Sequence, residues 1–328
     1  MNLRLSLVAR HLTRPRSTLS HSSAAFARRF PITAMASAHP ADERGSRTIH
    51  TAACLIIGDE VLGGKTKDTN SNHMAKWCFD LGINLKRIEV IADEESEIIE
   101  AVRRMSDRYD FVVTSGGIGP THDDITYSSI AKAFGLPLVL HQEAYALMKK
   151  LSKPHPGQPD FSWDVDSPAR RAKLRMIEVP TDVNRDLSKQ FIFPCEELWV
   201  PIAVVNGNVH ILPGVPRLFE RLLDGLKPHI ADRLVDTEGN ATARVLISTP
   251  LPESEVAPYL TELAAVVEPK GVKVGSYPRW GKKNNTVTLV GKDKEFIESI
   301  SAEVASRVRG NIVKVEGEDD EPEEPEQN

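Results

Sequence analysis

The sequence predicts an α/β chain: a doubly wound, mostly parallel sheet followed by a small α+β unit. Three observations carry this. Over residues 52–134, apolar runs of strand length alternate with helical patterns, an order that makes neighbouring strands parallel and lays helices on both faces. The apolar run Phe111-Val112-Val113 ends in a glycine-rich turn that opens a helix. After Glu238-Gly239-Asn240 the order becomes β-α-β-β-α-β, that of a compact α+β sandwich.

The elements follow in order. Residues 52–57 read as the first strand. Residues 70–81 read as a helix with Met74, Trp77, Cys78 and Leu81 on one face and Gly82 just beyond it. Residues 85–91 form the second strand. Ser96 is placed to cap a helix whose apolar face is Ile98, Ile99, Val102 and Met105. The third strand is 110–114, and a helix over 125–134 closes at Gly135. Residues 153–159 are rich in proline and read as a surface loop, followed by a short helix over 168–176. Asn206-Gly207 between apolar runs signals a hairpin over 202–212. Leu212-Pro213-Gly214-Val215-Pro216 then leads into a helix over 217–226. The second unit has strands near 244–248, 272–276, 286–290 and 311–315, with helices over 253–267 and 294–308.

A chain of 328 residues holds one large or two modest domains. No apolar run approaches membrane-spanning length, so no membrane is expected as a partner. The first 41 residues carry six arginines and no Asp or Glu. That composition is a mitochondrial transit peptide's; a basic arm of no address is the alternative. Met35 would serve as an internal start for a cytosolic form. The last 13 residues carry eight acids and read as a disordered tail. The body between is nearly neutral, against a net −5 for the whole chain, so nucleic acid is not expected as a partner. Cys54, Cys78 and Cys195 have no metal-type spacing, and Cys54 reads as a core residue. The expected divisions are a lead of 1–46, a first domain of 47–238, a second of 239–315 and a tail of 316–328.

The chemistry concentrates in residues 114–126. Three glycines let backbone N–H groups approach an anion, and the helix start adds partial positive charge. Asp123 and Asp124 stand beside that cradle, which calls for a cation between them and a phosphate. The plainer alternative is that Asp124 caps the helix and the glycines turn the chain; a cap can also bind metal. Asp59 and Glu60 follow the first strand directly, as the glycine loop follows the third. In such sheets ligands bind at the carboxyl ends of strands, where strand order reverses. An order of 2-1-3 would bring both segments to one crevice. Asn70 is either a helix cap or a ligand contact. Gly63-Gly64-Lys65-Thr66 imitates a P-loop, but the glycine required six residues before the lysine falls at Asp59. His122 faces solvent or binds metal. Arg279, Lys282 and Lys283 are surface charge or a contact to a neighbouring subunit's phosphate. No Ser-His-Asp or Cys-His set stands out.

Five ordered segments carry a family resemblance. They are Gly58-Asp59-Glu60-Val61-Leu62-Gly63, Asp68-Thr69-Asn70, Ser115-Gly116-Gly117-Ile118-Gly119-Pro120-Thr121 with Asp123-Asp124 and Thr126, Leu212-Pro213-Gly214-Val215-Pro216, and Gly275-Ser276-Tyr277-Pro278-Arg279-Trp280. Together they resemble the molybdopterin-binding (MoaB/Mog-like) family, in the branch of CinA N-terminal domains and the N-terminus of eukaryotic FAD synthase. The resemblance implies metal-dependent hydrolysis of a dinucleotide pyrophosphate, FAD or ADP-ribose, releasing AMP. It equally admits molybdopterin binding or adenylation, or a non-catalytic nucleotide-binding module. Carried over residue by residue, Asp59, Glu60 and Asp124 are catalytic. Asn70, Ser115, Gly116, Gly117, Gly119, Thr121, Thr126, Pro213 and Gly214 bind substrate. Asp123 and Asp124 hold the metal, Mg²⁺, Mn²⁺ or Co²⁺. Asp93 matches a functional acid of Mog-type relatives, although Glu94 and Glu95 beside it also suit a charged helix start. The expected partners are a small-molecule nucleotide or pterin and further copies of the chain. Pro194-Cys195-Glu196-Glu197-Leu198 departs from the Asn…Gly stretch of bacterial relatives. The residues include neither the CinA-type amidohydrolase domain nor the reductase-like half that makes FAD, so FAD synthesis itself is not expected of them.

Overall fold

The computed structural model describes residues 39–152, 157, 160–235, 242–315 and 318. The expected presequence up to residue 38, most of 153–159, the 238–240 boundary and nearly all of the acidic tail lie outside the described residues.

The first described element corrects an expectation. Helix α1 (Pro40–Gly45) lies within the stretch expected to be a disordered lead. His39 caps it, and Pro40 stands at its first position, where the missing N–H costs nothing. Asp42 pairs with Arg185 and Lys189 at 2.8 and 3.0 Å, which pins the helix to the body.

Strand β1 (Thr51–Ile57) is buried at every position but the first. Its start is held by Asp110, whose carboxylate accepts the N–H groups of His50 and Thr51. After the single turn α2 (Asp59–Leu62), α3 (Asn70–Asp80) buries Met74, Trp77 and Cys78 as its spacing predicts. Strand β2 (Asn84–Ile91) forms the sheet edge. Helix α4 (Glu95–Arg108) begins one residue before Ser96, so Ser96 is not its cap; Glu94 holds that position without a side-chain bond. Strand β3 (Phe111–Ser115) is wholly buried, and α5 (Thr126–Phe134) ends at Gly135 in the left-handed conformation.

An excursion whose sequence shows little regular period comes next: β4 (Leu138–Leu140), α6 (Gln142–Leu151), α7 (Pro168–Arg175), β5 (Glu178–Pro180) and β6 (Phe191–Ile192). Strands β4 and β5 pair with each other. Then β7 (Ile202–Val205) and β8 (Val209–Leu212) make the expected hairpin, with Asn206 and Gly207 both at positive φ, the twist-matched turn that Asn-Gly favours. Helix α8 (Pro216–Ile230) runs one turn longer than expected and buries Phe219, Leu222, Leu223 and Leu226.

The main sheet runs β2-β1-β3-β8-β7-β6. Its first four strands are parallel, while β7 runs antiparallel to both of its neighbours, β8 and β6. The expected order 2-1-3 is found. Ile56 lies opposite Ser115, and Ser115 opposite Leu212, so three strands end side by side. The second unit comprises β9 (Ala243–Thr249), α9 (Glu253–Val267), β10 (Lys273–Tyr277), β11 (Asn285–Gly291), α10 (Lys294–Arg307) and β12 (Asn311–Val313). Its sheet, β10-β11-β9-β12, is wholly antiparallel. Ile247, Val272, Val287, Leu289 and Ile297 give it a core of its own. Among the described residues, no helix is long and apolar enough to cross a membrane.

Candidate functional site

The ends of β1, β3 and β8 meet at a cavity of about 270 Å³. One wall is Glu60, Gly116, Gly117, Ile118, Gly119 and Asp124. Pro213 and Gly214 form its floor, and Met176, Trp199, Val200, Val215 and Leu218 its apolar side.

Close backbone packing explains the glycines. Gly116 has φ +115°, and a Cβ there would lie 2.0 Å from the Ile57 carbonyl oxygen. A Cβ on Gly214 would lie 3.1 Å from the Gly116 Cα. A Cβ on Gly117, at φ +64°, would meet the Thr126 Oγ1 at 2.2 Å. Thr126 closes the loop from the start of α5: its N–H donates to the Gly117 carbonyl and its hydroxyl to that of Gly116.

This bonding redistributes the expected cradle. The Gly116 N–H is spent on the Leu212 carbonyl, and the Gly119 N–H on Asp124. The N–H groups of Gly117, Ile118, Gly214 and Val215 have no partner among the described residues. All four residues line the cavity, and Val215 is the cap of the fifteen-residue helix α8, whose positive dipole end therefore borders it. Unmade donors at a helix start suit an anion.

The acids sit around these donors. Asp124 does not cap α5; that position belongs to Ile125. Its Oδ1 accepts from Gly119 N at 2.7 Å, and its Oδ2 from Thr121 N and Oγ1 at 2.8 and 2.5 Å. It thus folds the loop back on itself, and Gly119 makes room for it: a Cβ there would lie 2.5 Å from the carboxylate. Asp59 and Asp93 are joined reciprocally, Asp59 N to Asp93 Oδ2 at 3.0 Å and Asp93 N to Asp59 Oδ1 at 3.4 Å. Burial pushes the Asp93 carboxyl above its ordinary range; the bond from Asp59 N opposes this, and the Asp59, Glu60 and Asp123 carboxylates reinforce it. Asp123 is exposed and lies off the cavity wall. A hydrogen bond with Thr121 holds its carboxyl below the ordinary range.

Glu60, Asp93 and Asp124 are hard oxygen donors of the kind Mg²⁺ and Mn²⁺ take. No three Asp, Glu, His or Cys side chains among the described residues converge closely enough to hold a metal alone. Oxygens from a bound phosphate and water would complete the shell, as is usual for Mg²⁺.

Several expected substrate contacts stand behind the wall. Asn70 is inside α3, not its cap. Its amide donates to Ser115 Oγ and the Gly214 carbonyl, both at 2.9 Å, tying the β3 and β8 loops together. Its Oδ1 is buried without a partner. Ser115 and Thr126 are also buried, and Thr121 is exposed beside Asp124. His122 is almost fully exposed, 3.9 Å from Asp123. Lys65 is exposed and off the wall, so the P-loop likeness has no structural counterpart. The sequence missed Met176, Trp199 and Leu218 because their stretches show no motif. It also missed Arg175, which donates to the Asp124 carbonyl at 3.2 Å. Pro194-Cys195-Glu196-Glu197-Leu198 leads directly to Trp199, and the Cys195 thiol donates to the Arg221 carbonyl.

Two family models match the chain. One, described as a probable molybdopterin binding domain, covers residues 53–232. The other, described as the FAD synthase middle domain, covers 243–316. A probable FAD synthase of Caenorhabditis elegans is 32% identical over 274 residues, covering 80% of this chain and 51% of that protein. A protein of Archaeoglobus fulgidus is 30% identical, covering 74% of this chain and 92% of its own length. The crystal structure of the protein CinA of unknown function from Thermoplasma acidophilum is 32% identical, covers 56% of this chain and 98% of that one, and superposes with a TM-score of 0.45. The chain spans about half the length of the Caenorhabditis proteins it matches.

Proposed function

The chain belongs to the molybdopterin-binding (MoaB/Mog-like) domain family, with an FAD synthase middle domain after it, and from that premise we propose that it is an enzyme acting on FAD or a related dinucleotide such as ADP-ribose. The proposed reaction is metal-dependent hydrolysis of the pyrophosphate, giving AMP and, from FAD, FMN. Water adds across one P–O bond of the bridging oxygen, and each phosphorus leaves as a monophosphate. The observation that carries this reading is the meeting of N–H donors unpaired among the described residues, at Gly117, Ile118, Gly214 and Val215, with the carboxylates of Glu60 and Asp124 around one cavity. Donors alone would suit any anion. Carboxylates beside them make sense when cation and phosphate enter together.

In this reading the four amides hold the pyrophosphate oxygens without rearranging as charge shifts, the preorganisation that lowers such barriers. Asp124 keeps the glycine loop in shape and offers its remaining lone pairs to the cation, with Asp93 and the exposed Asp123 as further donors. A bound divalent metal would offset phosphate charge and lower the pKa of a coordinated water. Glu60 lines the cavity and is free to orient that water, whereas Asp59 is engaged with Asp93. Trp199 and Met176 offer a flat apolar surface for a ring of the dinucleotide.

The test is a screen of FAD, NADH, ADP-ribose and CoA, each with Mg²⁺, Mn²⁺ or Co²⁺, read for AMP release. Release from FAD or ADP-ribose supports the proposal. Tight molybdopterin binding without any AMP would replace it with the cofactor-binding reading of the same family.

A further inference from the structure

A larger cavity, about 560 Å³, lies away from the glycine loop, between the main sheet unit and the small α+β unit. On one side it is lined by His50, Phe79 and Lys86, and on the other by Lys273 and Lys292. Two features set it apart. None of its lining residues among the described residues carries a carboxylate, although acids outnumber Lys and Arg by 46 to 41 in the chain. None of the three lysine side chains has an ion-pair or hydrogen-bond partner among the described residues; by contrast, Lys132, Lys149 and Lys189 each meet a carboxylate. Arg244 of β9 also closes over the Phe79 ring, 4.2 Å from its centroid, adding a fourth positive charge beside the cavity.

Lysines from two separate units line one concavity, and an anion lying between them would offset their mutual repulsion. A folded chain of net negative charge has carboxylates to spare, yet among the described residues it places none on this wall. Gly82 and Gly271, both lining residues, have open space where a Cβ would stand, so the hollow is not filled by neighbouring side chains.

We infer that this interdomain cavity is a second anion site, which takes a polyphosphate such as a diphosphate group, held by Lys86 from the sheet unit and by Lys273 and Lys292 from the small unit. Because the lysines come from both units, a bound polyphosphate joins them. The site is independent of the glycine loop and does not rest on the reaction proposed there.

The experiment is calorimetric titration of the full chain with inorganic pyrophosphate, and in parallel with ADP, at 50 and 200 mM NaCl. The variants are Lys273→Glu/Lys292→Glu and Gly117→Val, circular dichroism confirming that each is folded. The glycine-loop site also accepts phosphate in the reading above, so wild type is expected to bind two equivalents. The lysine variant is expected to lose one of them, by about a hundredfold or more, since each substitution swings two charges against a ligand of several negative charges. Gly117→Val is expected to keep that equivalent, and higher salt to weaken it. Pyrophosphate and ADP binding alike would show that the phosphates suffice; ADP alone would make the ligand a nucleotide, within the same chemistry. The inference is overturned if the lysine variant binds as many equivalents as wild type. It is equally overturned if wild type shows only the equivalent that Gly117→Val removes.

Discussion

Replacing Asp124 with alanine removes three accepted hydrogen bonds at once, those from Gly119 N, Thr121 N and Thr121 Oγ1. A hydrogen bond to a charged group is worth about 1.5–3 kcal/mol. The Thr121 donors are exposed and regain water, so they count for little; the Gly119 donor is partly buried and counts more. The loop should lose about 2–4 kcal/mol of local stability. A lost helix cap costs only about 1 kcal/mol, so the size of the effect separates loop closure from capping. Hydrogen exchange of a peptide covering 115–126 is the assay. Its amides should exchange roughly thirty- to a thousandfold faster in the variant, while the β9–β12 unit is unchanged. AMP release should fall by about a hundredfold or more, the scale on which loss of a main electrostatic group is felt. Unchanged exchange would refute the structural role of the carboxylate. Normal cleavage with fast exchange would remove it from the chemistry.

Other outcomes follow from the same geometry. Gly116→Ala should destabilise the chain by more than about 2 kcal/mol, because it combines positive φ with a clash against the Ile57 carbonyl; Gly135→Ala, at φ +67° in open space, should cost only about 1 kcal/mol by thermal melting. Burial lowers the His210 pKa from 6.5 to about 3, so the unfolded chain takes the proton first and stability falls as pH drops from about 6.5 toward 3, by up to about 1.4 kcal/mol per unit. His210→Phe should flatten that acid limb in denaturant titrations at pH 7, 6 and 5, and parallel curves would contradict the assignment. Residues 1–41 fused to a fluorescent protein should direct it to mitochondria, and a fusion starting at Met35 should stay in the cytosol; diffuse fluorescence from the longer fusion would count against the transit-peptide reading.

The alternating elements were legible because each carries its own period: β1 and β3 as apolar runs, α3 by the spacing of Met74, Trp77 and Cys78, and the β7–β8 hairpin by Asn206-Gly207. The crevice was legible because alternation makes the strands parallel, so that both loops fall at their carboxyl ends; the order 2-1-3 that brings them together had the family resemblance in its support. The division of labour within the loop was not. Nothing in the residue string says that the Gly116 and Gly119 amides are consumed internally while those of Gly117 and Ile118 are left over; that depends on how closely Leu212 and Asp124 approach. Asp124 looked like a cap because it precedes a helix by two residues, and only the fold turns its carboxylate backward. Trp199 reaches the cavity from the irregular stretch between β6 and β7, and Met176 from the end of α7, where no motif marks them. The helix α1 escaped notice because it follows a long acid-free lead and is held by ion pairs to residues some 140 positions away.

We propose that the glycine-loop cavity cleaves a dinucleotide pyrophosphate with the help of a divalent cation. It is tested most directly by mixing the purified chain with FAD or ADP-ribose, with Mg²⁺ or Mn²⁺ and again with EDTA, and following AMP by chromatography, with Glu60→Gln alongside. AMP that appears only with the metal, and at a rate about a hundredfold or more lower in Glu60→Gln, is the predicted result. No AMP from either compound with any of Mg²⁺, Mn²⁺ and Co²⁺, or equal rates in EDTA, would contradict it.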